Sequence, residues 1–158
     1  MAGAMTDRIF DETDEDWLLE HLFCERSMLC FAMEEVRRLP LGNEYNAYHE
    51  SFVIHARLLG KFLTNGEAKS YGAKDFVQDF RSRKPDDLIA LFNRIDPQIM
   101  HLAPRRPEEP EPKLDTDDCR MLFDWLRDEF DDFFARLPEA TRRRWNGKAT
   151  GLDISSPP

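Results

Sequence analysis

Apolar residues recur along this chain at steps of three, four and seven positions, the spacing of one buried face of an α-helix. Leu18, Leu22, Leu29, Met33 and Val36 mark the first such face and predict a helix from about Glu15 to Arg38. Thr13 or Asp14 can cap it, and Asp14, Glu15 and Asp16 complement the positive end of its dipole. Pro40 and Gly42 end it. Tyr45, Tyr48, Phe52, Ala56, Leu59 and Leu63 predict a second helix from about Glu44 to Leu63, capped by Asn43 and followed by the turn signal Asn65-Gly66. Residues 73–80 predict a short helix with Phe76 and Phe80 on one side.

Leu88, Leu91, Phe92, Ile95, Ile99 and Leu102 mark a third long helix, with Pro85 suited to its first position. Their spacing runs straight through Pro97, so the helix either kinks there or gives way to a new one capped by Asp96. Asp115 caps a last helix reaching about Leu137. Cys119, Leu122, Phe123, Leu126, Phe130, Phe133 and Leu137 form its apolar face, and Asp124, Arg127, Asp128 and Asp131 point the other way. Between the last two helices, Pro104, Pro107, Pro110 and Pro112 forbid regular helix and predict an extended, exposed connection.

Four long amphipathic helices bury their stripes most economically against one another. The expectation is an all-α fold, a four-helix bundle with an extra short helix and a Pro-rich loop before the last helix. One domain should span residues 13–145, flanked by disordered segments at 1–12 and 146–158.

Composition narrows the function classes. A hydrophobic content of 41% suffices for one core, so neither disulfides nor a structural metal are required. A net charge of −9 opposes a broad grip on nucleic acid, although a local basic pocket is compatible with it. Cys24, Cys30 and Cys119 fall in predicted helices and read as reduced, buried thiols. No apolar run approaches the ~20 residues that span a bilayer, and the first residues are polar and acidic, unlike a secretory signal. A cytoplasmic protein with no membrane partner is expected.

Several chemistries find no support. No histidine follows a glutamate at the spacing of helical-bundle iron sites. His49-Glu50 lacks the second histidine a zinc-protease helix needs, and His21, Cys24 and Cys30 lack zinc-site spacing. Phosphate-binding, dinucleotide and nucleophile-elbow motifs are missing. No metal or cofactor is therefore expected.

Two features bear on function. His55 lies on the apolar arc of the second helix, where it is either satisfied by a backbone carbonyl or carboxylate, or lines a site between helices. Arg94 and His101, with six residues between them, lie almost two helical turns apart and project from one flank of the third helix, with Asp87 one repeat earlier.

The surrounding residues carry a resemblance. "HESFVIHARLLGKFL" (His49 to Leu63), "KDFV" (Lys74 to Val77) and "RIDPQIMHLAPRR" (Arg94 to Arg106) resemble an uncharacterised bacterial branch of the HEPN superfamily, similar to abortive-infection proteins. The resemblance covers roughly residues 44–106. It implies a four- or five-helix bundle, often dimeric, whose active members are metal-independent ribonucleases with an Arg-x(4–6)-His pair.

Carried over, Arg94 and His101 would be that pair, with Asp96 at the polar position near the arginine. The imidazole would take the proton of a ribose 2′-hydroxyl as it attacks the adjacent phosphate, and the guanidinium would stabilise the phosphorane. Arg81, Arg83, Lys84, Arg105 and Arg106 could supply local positive potential for RNA. Arg57, in the family-like "HAR" position, projects away from the main stripe and could serve an interface. Ile95 after Arg94, and Pro97 within the pair, depart from the active pattern. The implied partners are a second copy, RNA, or a small inhibitor protein; the competing expectation is a non-catalytic module that dimerises or binds a partner.

Overall fold

The computed structural model describes residues 12–66, 69–83, 85–99 and 114–151. All regular elements among the described residues are helical, so the all-α expectation holds. The first predicted helix is a continuous rod in three pieces: α1 (Glu12–Trp17), a π-helical turn (Leu18–Leu22) and α2 (Phe23–Arg38). The backbone stays right-handed helical at Trp17, Leu22 and Phe23, so the change of register occurs without a break. The rod begins at Glu12, ahead of the expected caps, and Asp14 is a buried residue within it.

After the turn at 41–42 the chain returns as α3 (Asn43–Thr64), antiparallel to α2 and packed along it. Gly42 stands in the cap position and Asn43 opens the helix, one step from the expected arrangement. Asn65 closes it in the left-handed region at φ 54°, which asparagine tolerates better than most residues. The predicted helix at 73–80 is reduced to a single 3₁₀ turn, Ala73–Asp75. Phe76 and Phe80 are nonetheless buried, in a run of backbone turns in which Val77 N–H donates to Ala73 and Phe80 N–H to Val77, and the chain just beyond is tied to α5. Trp125 Nε1 donates to the Arg83 carbonyl at 2.7 Å, and the Arg83 amide donates to Glu129 at 3.0 Å.

Helix α4 (Asp86–Ile99) continues through Pro97, which settles the kink-or-restart alternative in favour of one helix up to Ile99. Gly60 lets α4 pack closely on α3: a Cβ there would lie 2.1 Å from the Phe92 ring. Helix α5 (Thr116–Ala135) starts at the predicted cap. The Asp118 amide donates to the Asp115 carboxylate at 2.8 Å, and the Asp115 amide donates back to Asp118 at 3.2 Å.

A further helix, α6 (Glu139–Gly151), was not foreseen, and the expected domain boundary at 145 falls inside it. Among its described side chains Thr141 and Trp145 are the buried ones, too short a pattern to stand out. Trp145 packs against Phe23, Phe130 and Phe134.

The core lies where α2, α3 and α5 meet. Phe52, Phe80 and Phe133 are fully buried there, each contributing about 2–3 kcal/mol of hydrophobic free energy. Phe133 sits edge-on to both Phe62 and Phe80. No described helix is long and apolar enough to cross a membrane.

Candidate functional site

The π-helical turn adds one residue to the first rod and weakens the backbone bonding around it. Two groups from α6 compensate. Lys148 donates to the Leu19 carbonyl at 3.3 Å, and Arg144 bridges Glu15 and Asp16 on α1. The turn thereby holds Trp17 against the loop that follows α3. Trp17 lies 4.6 Å from Tyr71 between ring centroids and stacks on Phe76 at 5.9 Å. The Tyr71 hydroxyl donates to the buried Asp14 carboxylate at 2.5 Å.

The loop carrying Tyr71 is fixed in turn. The Lys74 amide donates to the Asn65 side chain at 3.0 Å, and the Gly72 amide donates to Asp75 at 2.8 Å. A Cβ at Gly72 would meet Asn65 Oδ1 at 2.5 Å, so glycine is required by this close approach.

These elements enclose a cleft of about 280 Å³. Leu22, Leu59 and Phe62 supply apolar surface, Trp17 and Tyr71 an aromatic wall, and His21, Glu25, Lys61 and Ser70 polar groups. Glu25 interrupts the apolar face of α2 and meets His55 on α3, with Nδ1 and Oε2 2.6 Å apart. An ionised carboxylate can only accept, so Nδ1–H donates to it. His55 thus meets the first of the two readings the sequence left open, satisfaction by a carboxylate; the residue that lines the cleft is its partner Glu25. His49 is buried and donates from Nε2 to the Leu114 carbonyl at 2.7 Å, a structural bond that ties α3 to the start of α5.

The sequence-predicted site fares differently. Arg94 projects from α4 to Asp118 on α5 at 3.2 Å, with about a quarter of its side chain exposed. Asp118 is also the capping-box residue of α5, so the guanidinium is bound to a group already engaged in holding the helix start. Asp96 lies on α4, while His101, Lys84, Arg105, Arg106 and the Pro-rich connection at 104–112 lie outside the described residues. Arg81 donates to the Phe80 carbonyl at 2.7 Å, Arg83 is exposed, and Asp87 accepts from the Leu88 amide at 3.0 Å. Arg57 is half-buried on α3.

The thiols also depart from expectation, since Cys24 is exposed and Cys30 only partly buried. Burial pushes the Cys119 thiol up to about 12, reinforced by Asp118 and Asp115, and burial likewise raises Cys30.

Trp17, Glu25, Lys61 and Tyr71 were not singled out from sequence. The one available signal was Glu25, a carboxylate on the apolar arc of its helix facing a histidine on the apolar arc of the next. The chain matches no protein-family model, no curated protein and no solved structure.

Proposed function

We propose that this chain is a HEPN-like, non-catalytic helical module that pairs with a second copy of itself through the outer face of α2 and α3. One observation carries this reading. Phe31, Ile54 and Leu58 are each 43% exposed and Met28 is 36% exposed, all on the sides of α2 and α3 that face away from the core. The contacts Glu25–His55 and Phe31–Tyr48 fix the antiparallel register of the two helices, and in that register the four side chains form one strip.

Charge favours a like partner on this face. A chain of net charge −9 repels its copies, so a self-association face must carry little net charge of its own. On the α2–α3 face the charges are internally paired, Glu25 with His55 and Glu35 with Arg38. Light scattering after size exclusion tests the reading: the wild type should have twice the chain mass, and Phe31→Glu with Leu58→Glu should halve it. A wild-type monomer at about 100 µM, roughly the weakest dimer such a standard interface would form, removes it.

A second reading is the metal-independent ribonuclease implied by the resemblance, with Arg94 and His101 acting on RNA and a small inhibitor protein as partner. Its support is that α4 keeps helical register from Arg94 through Pro97 to Ile99. RNA cleavage without metal that disappears in His101→Ala would establish it, and equal rates for both proteins would end it.

A further inference from the structure

The cleft beside the π-helical turn borders the exposed strip of α2 and α3. Its floor is Leu22, Leu59 and Phe62, all buried, and its rim carries His21, Leu58 and Ser70, all exposed. Leu58 belongs to both features, so the cleft begins where the strip ends. At the other end of the strip stands Phe31, braced edge-on against Tyr48 at 5.6 Å and 43% exposed. One face thus carries a projecting ring at one end and a hollow at the other.

The helix register sets the spacing of these ends. Glu25 stands opposite His55 and Phe31 opposite Tyr48, so Ile54 lies about midway between Phe31 and the cleft. At 1.5 Å per residue, each end is roughly 7–8 Å from Ile54 along the helices. Two identical chains packed face to face are related by a twofold axis in the contact plane, and each contact occurs twice. An axis running along the helices would set the two rings at one end and leave both hollows without an occupant. An axis running across them at Ile54 exchanges the ends, and each ring then faces the partner's hollow. Hollow walls without an occupant forfeit their dispersion contacts, so the exchanged arrangement is favoured.

Size agrees with it. A cavity of about 150 Å³ holds a benzene ring, and this cleft has about 280 Å³. Asp14 holds Tyr71 and Phe76 backs Trp17, so the aromatic wall stands ready to pack against a third ring. A standard interface takes roughly 800 Å² from each partner. Four side chains that are 36–43% exposed supply well under that, and the cleft is the concave surface that adjoins them.

We propose that in the self-associated pair the Phe31 ring of each copy enters the cleft of the other, around an axis that crosses α3 at Ile54. This rests on the pairing through α2 and α3 and gives it a geometry. The occupant is a hydrocarbon ring, so no polar group of the cleft has to give up a partner.

The test begins with the self-association constant of the full chain, measured by analytical ultracentrifugation. Phe31→Ala and Ser70→Trp should each weaken it at least tenfold, with folding verified by circular dichroism. Ser70 lies in the loop after α3, outside the strip, and an indole there obstructs the cleft alone. Arg120→Ala, on the exposed side of α5, should associate as the wild type does. Replacing Phe31 by p-benzoylphenylalanine adds a photochemical readout. Irradiation should join two chains, with the attachment within residues 17–25, 58–62 or 70–71 of the second. Self-association of Ser70→Trp at wild-type strength overturns the proposal and leaves the pairing through α2 and α3 intact. Attachment around the partner's Phe31 and Tyr48 does the same, by setting the axis along the helices. A wild-type monomer at about 100 µM removes the pairing itself, and this proposal with it.

Discussion

Two of the carboxylate contacts that join neighbouring helices, Glu25–His55 and Asp118–Arg94, are buried to similar depth. Glu25 and His55 link α2 to α3 with side chains 30% and 18% exposed, and Asp118 and Arg94 link α5 to α4 with 21% and 24% exposed. Their surroundings differ. Asp118 accepts from the Asp115 amide with the same oxygen that meets Arg94, so its lone pairs are committed to starting a helix and holding its neighbour. Glu25 borders a cavity walled by rings that other residues hold in place. A charge between helices is structural when backbone groups absorb it, and is available for chemistry when open space lies against it.

The sharpest probe of this contrast uses the cysteine next to each carboxylate. Cys24 follows the α2 start beside Glu25 and is exposed, whereas Cys119 lies beside Asp118 and is buried with its thiol pushed up to about 12. A rise from the ordinary value of 9.0 cuts the thiolate fraction near neutral pH about a thousandfold, and burial slows access further. A disulfide reagent should therefore modify Cys24 rapidly and Cys119 only after unfolding. Comparable rates would mean that the Asp118 end is as open as the Glu25 end.

Smaller effects should appear in stability. Asp118→Ala removes both the capping box and the partner of Arg94, and should destabilise the fold by about 2–3 kcal/mol in urea titrations. Glu25→Ala removes one interhelical hydrogen bond in a half-open setting and should cost about 1–2 kcal/mol. A Glu25/His55 double-mutant cycle should return a coupling of about 1 kcal/mol, and a value near zero would reduce that pair to coincidence. Arg120→Ala breaks only a solvated pair with Asp117 and should change stability by less than about 0.5 kcal/mol.

The long helices were legible because their periodicity is strong. Leu18, Leu22, Leu29, Met33 and Val36 are all buried as the spacing required, and Asp115 caps α5 as its position suggested. What escaped detection depends on contacts distant in sequence. Helix α6 buries two of its described side chains, Thr141 and Trp145, and is tied to the first rod by Arg144 and Lys148. The cleft draws on that rod, on α3 and on the loop after α3, and no short window contains more than part of it. The Arg94–His101 spacing was visible because both residues occupy one helix pattern. The partner that Arg94 takes, Asp118, was not visible, since it comes from the next helix.

The π-helical turn has an evolutionary consequence. Removing one residue between Leu18 and Leu22 would restore ordinary α-helical phase and swing everything upstream by about 100° about the axis. Trp17 would leave Tyr71, Asp14 would lose its phenolic donor, and Arg144 would lose its two carboxylates together. At this place, substitutions are gentler than indels: the chain can change its letters, but its count is fixed.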